Sequence, residues 1–436
     1  MVGAGWAGCA AAVELTLRGH PVHLLESSRI LGGRARNFRS STQEGADVWE
    51  ARLDNGQHIL LGAYTQSLKL MRKIGVDLEQ SFLRLPLQMR YPANTDGMDF
   101  VASRLLAPLH LLSALLRARG LNGVDKLALA RFTTTARWMG WTLHQDCSVA
   151  ELLERFDQTP RLISLLWRPL CLAALNTAPT AASAQIFLNV LRDSLGACRT
   201  ASDMLIPRIG LSELFPGPAA AFVQSNGGRV STGARAMALS PVGAGWHLMG
   251  PELDQSQYYD AVILATPIIE TMRLLSDPSP TLLYEPIITC YLQYDPALRL
   301  PQPFNALLDD SSKHHWGQFV FDRGHLDSNQ AGLLAVVISA ASEAAALPQK
   351  ELSDAVALQL ATAFNNDVLA APCRVKVVTE KRATFSCAPG LIRPGVETGL
   401  ANVWRAGDYV ASDYPATIEA AVRSGIAAAE RIDAPS

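Results

Sequence analysis

Apolar residues recur at helical spacing in some stretches of this chain and in alternating or unbroken runs in others. The first forty residues read as turn, helix, strand and turn. Gly3 to Gly8 form a glycine-rich turn, residues 10–18 an Ala- and Leu-rich helix closed by Gly19, and residues 22–25 a short apolar strand ending at Glu26. Between about 100 and 200 the pattern is helical, with stretches 105–116, 127–141 and 182–195 and few strand signals. Strand-like pieces return at 228–230, 246–249 and 261–265. Over 285–340 the runs 287–294 and 333–339 predict an antiparallel sheet, and 351–364 a further helix. The chain closes as a strand over 403–406, a turn at Gly407-Asp408, a loop and a helix over 416–431. Sheet signals with helical partners thus stand at the start, middle and end, separated by one helical and one mixed insertion. No internal repeat and no low-complexity linker interrupts them.

Composition bounds this picture without changing it. At 436 residues, 49% hydrophobic and 18% charged, the chain suits two or three lobes around a large core. A net charge of -2 supplies no global basic field, so nucleic acid is not an expected partner. The seven cysteines include no CxxC pair and no metal-ligand spacing, so neither a metal site nor a disulfide framework is expected, and a reducing cytoplasm fits best. The glycine motif begins at Gly3, which leaves no room for a leader peptide, and no apolar run reaches the roughly 20 residues of a membrane span. The stretch 101–116 carries Arg104 and His110. It pairs Leu105, Leu106, Leu109, Leu112 and Leu115 with Arg104, Arg117 and Arg119, which suits a helix lying in a bilayer surface, although a plain buried helix is the preferred reading.

Four motifs carry chemistry. Gly3-Ala4-Gly5-Trp6-Ala7-Gly8 is a GxGxxG turn. Its first glycine permits the turn, its second lets backbone approach a diphosphate, and its third packs helix on strand. Glu26 follows 18 residues after Gly8 at a strand end, where a carboxylate can bond a ribose hydroxyl. Only Met1 and Val2 precede Gly3 where a full strand is usual, so the natural chain is expected to begin further upstream. Next, Gly32-Gly33-Arg34-Ala35-Arg36 offers a second glycine loop with a cationic partner for a diphosphate. In Asp54-Asn55-Gly56-Gln57-His58 a glycine lets backbone pass close to a planar ring, with Gln57 and His58 facing that ring or a substrate; a structural histidine is the competing reading for His58. Last, Arg405-Ala406-Gly407-Asp408, followed by Pro415-Ala416-Thr417-Ile418-Glu419, delivers an acid and a helix N-terminus whose dipole favours negative charge on a reduced ring system.

Together these motifs resemble the amine oxidase and phytoene desaturase superfamily of flavoproteins. The segments 53–64 (LDNGQHILLGAY) and 167–177 (WRPLCLAALNT) look like its squalene-associated, FAD-dependent desaturase branch, the hydroxysqualene dehydroxylases. Further matches fall at 187–194, 204–207, 211–218, 259–267 and 316–324, so the resemblance spans essentially the whole chain. It implies an α/β fold: a discontinuous Rossmann-like FAD-binding domain with a mixed sheet-plus-helix substrate domain. The expected ranges are 1–85, 200–268 and 380–436 for the first, and 86–199 with 269–379 for the second, including the helical insertion. The resemblance implies non-covalent FAD held by Gly3, Gly5, Gly8, Glu26, Gly33, Arg34, Asp408 and Thr417, with the Ala236 backbone at adenine. Gln57 and His58 then lie beside the flavin, with His58 the candidate proton donor and Asp54 or Tyr414 as alternatives. The implied reaction reduces hydroxysqualene to squalene in squalene and hopanoid biosynthesis, on a C30 isoprenoid, in a protein of the cytoplasm or the inner face of its membrane that associates with other enzymes of the pathway. Three other readings are a carotenoid-type desaturase, an amine oxidase, which lacks a clear paired-aromatic signature here, and a non-catalytic isoprenoid-binding subunit.

Overall fold

The structure is a computed structural model describing residues 1–44, 47–254, 256–277 and 282–432. Positions 45–46, 255, 278–281 and 433–436, which fall inside the expected domain ranges, lie outside the described residues.

A parallel sheet is assembled from segments far apart in sequence. His23–Glu26 pairs with Arg229–Thr232, and Val262–Leu264 pairs with Val403–Arg405. Val2 joins the two pairs by bridging Leu25 on one side and Leu264 on the other. Its amide donates to the Ile263 carbonyl, and the Leu25 amide donates to the Met1 carbonyl, both at 2.9 Å. Leu24, Leu25, Val262, Ile263 and Leu264 are buried, which is why these strands read as unbroken apolar runs rather than alternating ones. The helices Trp6–Leu17 and Ile418–Glu430 pack directly on each other. Small residues make the contact: a Cβ on Gly425 would lie 2.1 Å from the Ala7 carbonyl oxygen and 3.1 Å from the Ala11 nitrogen.

The second sheet is antiparallel and five-stranded, in the order Phe304–Ala306, Phe319–Asp322, Leu333–Ile338, Tyr284–Gln293, Arg374–Phe385. Its faces feed two separate cores, and the two-residue period of a strand sorts the side chains between them. Leu334, Val336 and Ile338 pack with Ile288, Cys290 and Leu292 against Leu352, Val356 and Leu360 of the helix Gln349–Phe364. Leu333, Ala335 and Val337 point the other way, into a cluster with Tyr291, Phe321, Phe132 and Phe187. With both faces buried, the run LLAVVI has no polar position.

The helical insertion covers that second face. Its first helix is Leu109–Arg117, beginning after Pro108 rather than at 105, because proline steers the residue before it away from helical geometry. The next, Gly123–Trp138, begins before 127, because Asn122 and Asp125 form a reciprocal cap. Further on, Pro160–Leu162 passes through a π-helical turn, Ile163–Trp167, into Arg168–Leu175. Pro169 has no amide to give the Leu165 carbonyl four residues back, and the Tyr91 hydroxyl donates to that carbonyl instead at 3.0 Å. Asn176 ends the segment in left-handed geometry, with φ 48. Its amide donates to the Glu285 carbonyl (3.2 Å) and the Thr384 hydroxyl (2.9 Å), and its oxygen accepts the Ala340 amide (2.6 Å). The Cys387 amide donates to the Thr177 hydroxyl at 3.0 Å. The Leu-Asn-Thr end of the WRPLCLAALNT segment is therefore a clamp between the insertion and the antiparallel sheet.

Candidate functional site

The three motif glycines do different things. Gly3 has φ +100, and a Cβ there would lie 2.5 Å from the Ala265 carbonyl oxygen. A Cβ on Gly8 would lie 1.9 Å from the Gly3 carbonyl oxygen. The turn and the helix–strand packing therefore account for both. Gly5 has φ -72 and ψ -179, geometry open to any residue, and a Cβ there would meet only the Gly33 Cα, at 3.8 Å. No backbone or packing demand explains it. It caps a twelve-residue helix that has no side-chain cap and no acid in its first turn. A bare backbone surface before uncapped amides is what a diphosphate requires, so the loop fits the pyrophosphate of a dinucleotide cofactor.

The second glycine loop closes on the first. The Gly32 amide donates to the Ala4 carbonyl at 2.9 Å, and Gly33, at φ +63, faces Gly5. Trp6 ties the loops through its indole N–H to the Ala35 carbonyl at 2.9 Å. Glu26 is buried and holds the first loop, accepting the Ala4 amide at one oxygen and the Ser28 amide at the other, each at 2.8 Å. A carboxylate has about four lone-pair sites, so capacity for a ribose hydroxyl remains. Ala236 is reached from the same strand end: the Ala234 amide donates to the Glu26 carbonyl (2.9 Å), and the Ala236 carbonyl accepts from Arg273 (3.2 Å).

Arg34 and Asp408, drawn from opposite ends of the sequence, form an ion pair at 2.5 Å. Arg34 also donates to the Ala383 carbonyl at 2.6 Å. The Asn55 amide group links this pair to the next stretch, donating to the Arg34 carbonyl and to Glu380, each at 3.0 Å.

Beyond Asn55 lies a buried polar cluster. Gln57 is fixed at its side-chain oxygen by Arg323, at 2.7 Å. Arg323 is itself buried, donates to Gln330 at 2.6 Å, and lies 3.8 Å from Asp54. Asp54 accepts the Leu211 amide at 3.0 Å, while its carbonyl accepts the Tyr291 hydroxyl at 2.9 Å. Burial pushes the Asp54 carboxyl above its ordinary range despite the nearby guanidinium. His58 is half-buried, and its Nδ1 lies 2.7 Å from the Gly56 carbonyl, which can only accept, so Nδ1 carries the proton. Burial lowers the His58 pKa. The ring is thus neutral at pH 7, with Nε2 left as an acceptor.

The remaining sequence-derived positions lie apart from this cluster. Thr417 caps the helix Ile418–Glu430 by accepting the Ala420 amide at 3.1 Å. Tyr414 donates to Asp193 at 2.6 Å, and burial raises its pKa to about 12. Two buried residues escaped the sequence reading. Arg323 opens a short turn after the strand Phe319–Asp322, inside a segment that the resemblance matched without assigning it a role. Glu419 accepts the Gln66 and Ser67 amides at 3.0 and 2.9 Å, capping the helix Thr65–Lys73. A charged residue in an otherwise apolar strand-end or helix face is the only local signal either one gives.

Comparison with known proteins matches this architecture. The family described as flavin containing amine oxidoreductase matches residues 6–433. A hydroxysqualene dehydroxylase of Rhodopseudomonas palustris is 29% identical over 99% of this chain and 97% of its own length. A second, from Sinorhizobium fredii, is 28% identical with the same coverage. A zeta-carotene desaturase of Zea mays is 25% identical over 98% of this chain and 81% of its own. Among solved structures, an oxidoreductase from Methanosarcina mazei superposes with a TM-score of 0.69 at 15% identity, covering 98% of this chain and 99% of that one.

Proposed function

The chain belongs to the flavin-containing amine oxidoreductase family and is an FAD-dependent oxidoreductase, and from that premise we propose that it reduces hydroxysqualene to squalene, as a step of squalene and hopanoid formation. The observation that carries this reading is the end-to-end likeness to two hydroxysqualene dehydroxylases, above that to the carotene desaturase. We assign the diphosphate of FAD to the loops of Gly3, Gly5, Gly8 and Gly33 with Arg34. A ribose hydroxyl goes to Glu26, adenine to the backbone at Ala236, and the flavin-side contacts to Asp408 and Thr417. Residues 1–85, 200–268 and 380–436 are assigned to the cofactor, and 86–199 with 269–379 to the substrate.

Reduced flavin, when bound, supplies a hydride to the allylic carbon that loses its hydroxyl, and the hydroxyl leaves with a proton as water. The residues of this chain set the conditions. Leu53, Tyr291, Phe385 and Tyr409 belong to one buried apolar cluster beside the polar group, a wall that keeps water from a cationic carbon. Arg323 locks the Gln57 amide and thereby orients it. A neutral His58 changes the role expected of it: it accepts the substrate hydroxyl at Nε2. With its Nδ1 proton held by Gly56, His58 orients the hydroxyl and does not protonate it; we assign the proton that leaves with the hydroxyl to Asp54, whose protonated form burial favours.

Product analysis tests the reading. The purified chain is incubated without oxygen with hydroxysqualene and chemically reduced FAD, and the extract is analysed by gas chromatography and mass spectrometry. Squalene that depends on reduced flavin is the expected result. A yellow protein that ignores hydroxysqualene and desaturates phytoene instead would establish the carotenoid reading. A protein that binds isoprenoid without turnover of either would establish the carrier reading.

A further inference from the structure

The helix Leu109–Arg117 buries one side and leaves the other bare. His110, Ala114 and Leu115 are buried, so Leu115, one of the leucines of the bilayer-surface reading, points inward, while the exposed leucines around it depart from the preferred reading of a plain buried helix. Leu105, Leu109 and Leu112 are exposed, and Leu106 and Leu116 remain 81% and 68% accessible. Positions 109, 112 and 116 share one side of the helix by their three- and four-residue spacing. The adjoining helix Gly123–Trp138 extends the surface with exposed Val124 and Leu127, and with Trp138 at 86%. Lys126 joins the two helices by donating to the Leu116 carbonyl at 3.0 Å.

The segment that forms this apolar face is predominantly basic, with Arg131 paired to the exposed Asp157 at 3.3 Å. From 101 to 145 the chain carries Arg104, Arg117, Arg119, Lys126, Arg131 and Arg137 against a single acid, Asp125. Asp125 is buried, bonded to the Asn122 amide at 2.9 Å and to the Thr159 hydroxyl at 2.6 Å. A row of bare leucines edged by arginines, with a tryptophan at its margin, matches a surface that is apolar beneath and anionic above. Among the described residues no helix is long and apolar enough to cross a membrane.

We propose that this face seats on an anionic phospholipid bilayer, with the leucines and Trp138 in the headgroup boundary and the basic side chains against lipid phosphates. The inner side of the same helix belongs to the apolar cluster that reaches Leu53 and Tyr291 beside Asp54. A water-insoluble substrate held in the bilayer is then presented on the side of the chain that shares this apolar cluster with the site. This last step rests on the isoprenoid reading given above; bilayer binding does not.

Flotation of the full chain with vesicles tests it, comparing phosphatidylglycerol mixed into phosphatidylcholine with phosphatidylcholine alone. The chain floats with the anionic vesicles and less with the neutral ones, and added salt weakens the binding. The combined change L106S/L109S/L112S/L116S, on exposed positions that leave the core intact, lowers vesicle affinity on the order of 100-fold. R117Q and R119Q each lower it about 5-fold on anionic vesicles and leave neutral ones unaffected. Equal recovery in the soluble fraction with and without vesicles overturns the proposal. So does a leucine variant that turns a dimer into a monomer while vesicle binding stays, which would make the face a contact with a second copy. Hydroxysqualene turnover in detergent is read on the same preparations. Turnover without vesicle binding defeats this proposal alone; vesicle binding without turnover defeats the substrate reading alone.

Discussion

The two sides of the candidate site are built in opposite ways. On the dinucleotide side, neighbours in sequence make the geometry: Gly3, Gly5 and Gly8 lie within six residues, and Glu26 returns to the Ala4 amide after one helix and one strand. On the other side, Gln57 meets Arg323 across 266 positions and Asp54 meets Tyr291 across 237. A local steric demand leaves its mark as a residue type at a fixed spacing. A charge paired across the whole fold leaves none, because any buried cation delivered by any strand end would serve. The first kind of site is specified by backbone shape, and the second by burial and mutual hydrogen bonding.

The largest expected effect sharpens that contrast within one motif. Gly8→Ala places a Cβ 1.9 Å from a backbone oxygen and yields no soluble, flavin-loaded protein. Gly5→Ala, with its nearest neighbour at 3.8 Å, melts like the parent in its cofactor-free form yet binds FAD at least about tenfold more weakly, as flavin titration would show. Equal FAD affinity in Gly5→Ala would break the assignment of that surface to a diphosphate. On the far side, Arg323→Met leaves the side-chain oxygens of Gln57 and Gln330 without their donor, and is expected to cost about 3 kcal/mol in chemical denaturation. Adding Asp54→Asn should recover none of it, since a protonated Asp54 has no charge for Arg323 to balance; a recovery would show that Asp54 is ionised. Asn176→Ala removes three hydrogen bonds and a residue suited to left-handed backbone, for a loss of about 2 kcal/mol by the same assay.

A further effect is one of pH. His23, in the parallel sheet, lies between the Tyr259 and Ser231 hydroxyls at 2.8 and 2.9 Å, and its pKa is lowered to about 4, by burial first and then by neighbouring positive charge. The unfolded chain takes up a proton near pH 6.5 while the folded ring stays neutral. Stability is therefore complete above that pH and declines as the pH falls from about 6.5 toward 4. His23→Gln should flatten the decline in melts taken across this range, and an unchanged slope would remove His23 from the account.

Legibility in the sequence followed the same division. The strand expected at 22–25 stands at His23–Glu26, and that expected at 333–339 at Leu333–Ile338, because continuous apolar character survives burial on both faces. The hairpin of Asn37–Glu44 with Asp47–Asp54 was not read as strand, since Ser40, Ser41, Thr42 and Gln43 carry no apolar alternation. The π-helical turn before Pro169 leaves no periodic signal, and the hydroxyl that satisfies the Leu165 carbonyl comes from Tyr91, 74 positions away. At the site, the glycines and Glu26 could be named from spacing. Gln57 and His58 follow from the polar residues flanking Gly56 and then from the resemblance, and Arg323, which fixes the Gln57 amide, could be found only once the chain was folded.

The oxidation state of the bound flavin reports the direction of electron flow directly. The protein is loaded with FAD, reduced chemically without oxygen and given hydroxysqualene, while flavin absorbance and squalene are measured together. Reductive dehydroxylation returns the yellow colour, with one flavin oxidised for each squalene formed. A flavin that stays reduced in the presence of hydroxysqualene, while oxidised enzyme is bleached by a polyene precursor, would contradict it.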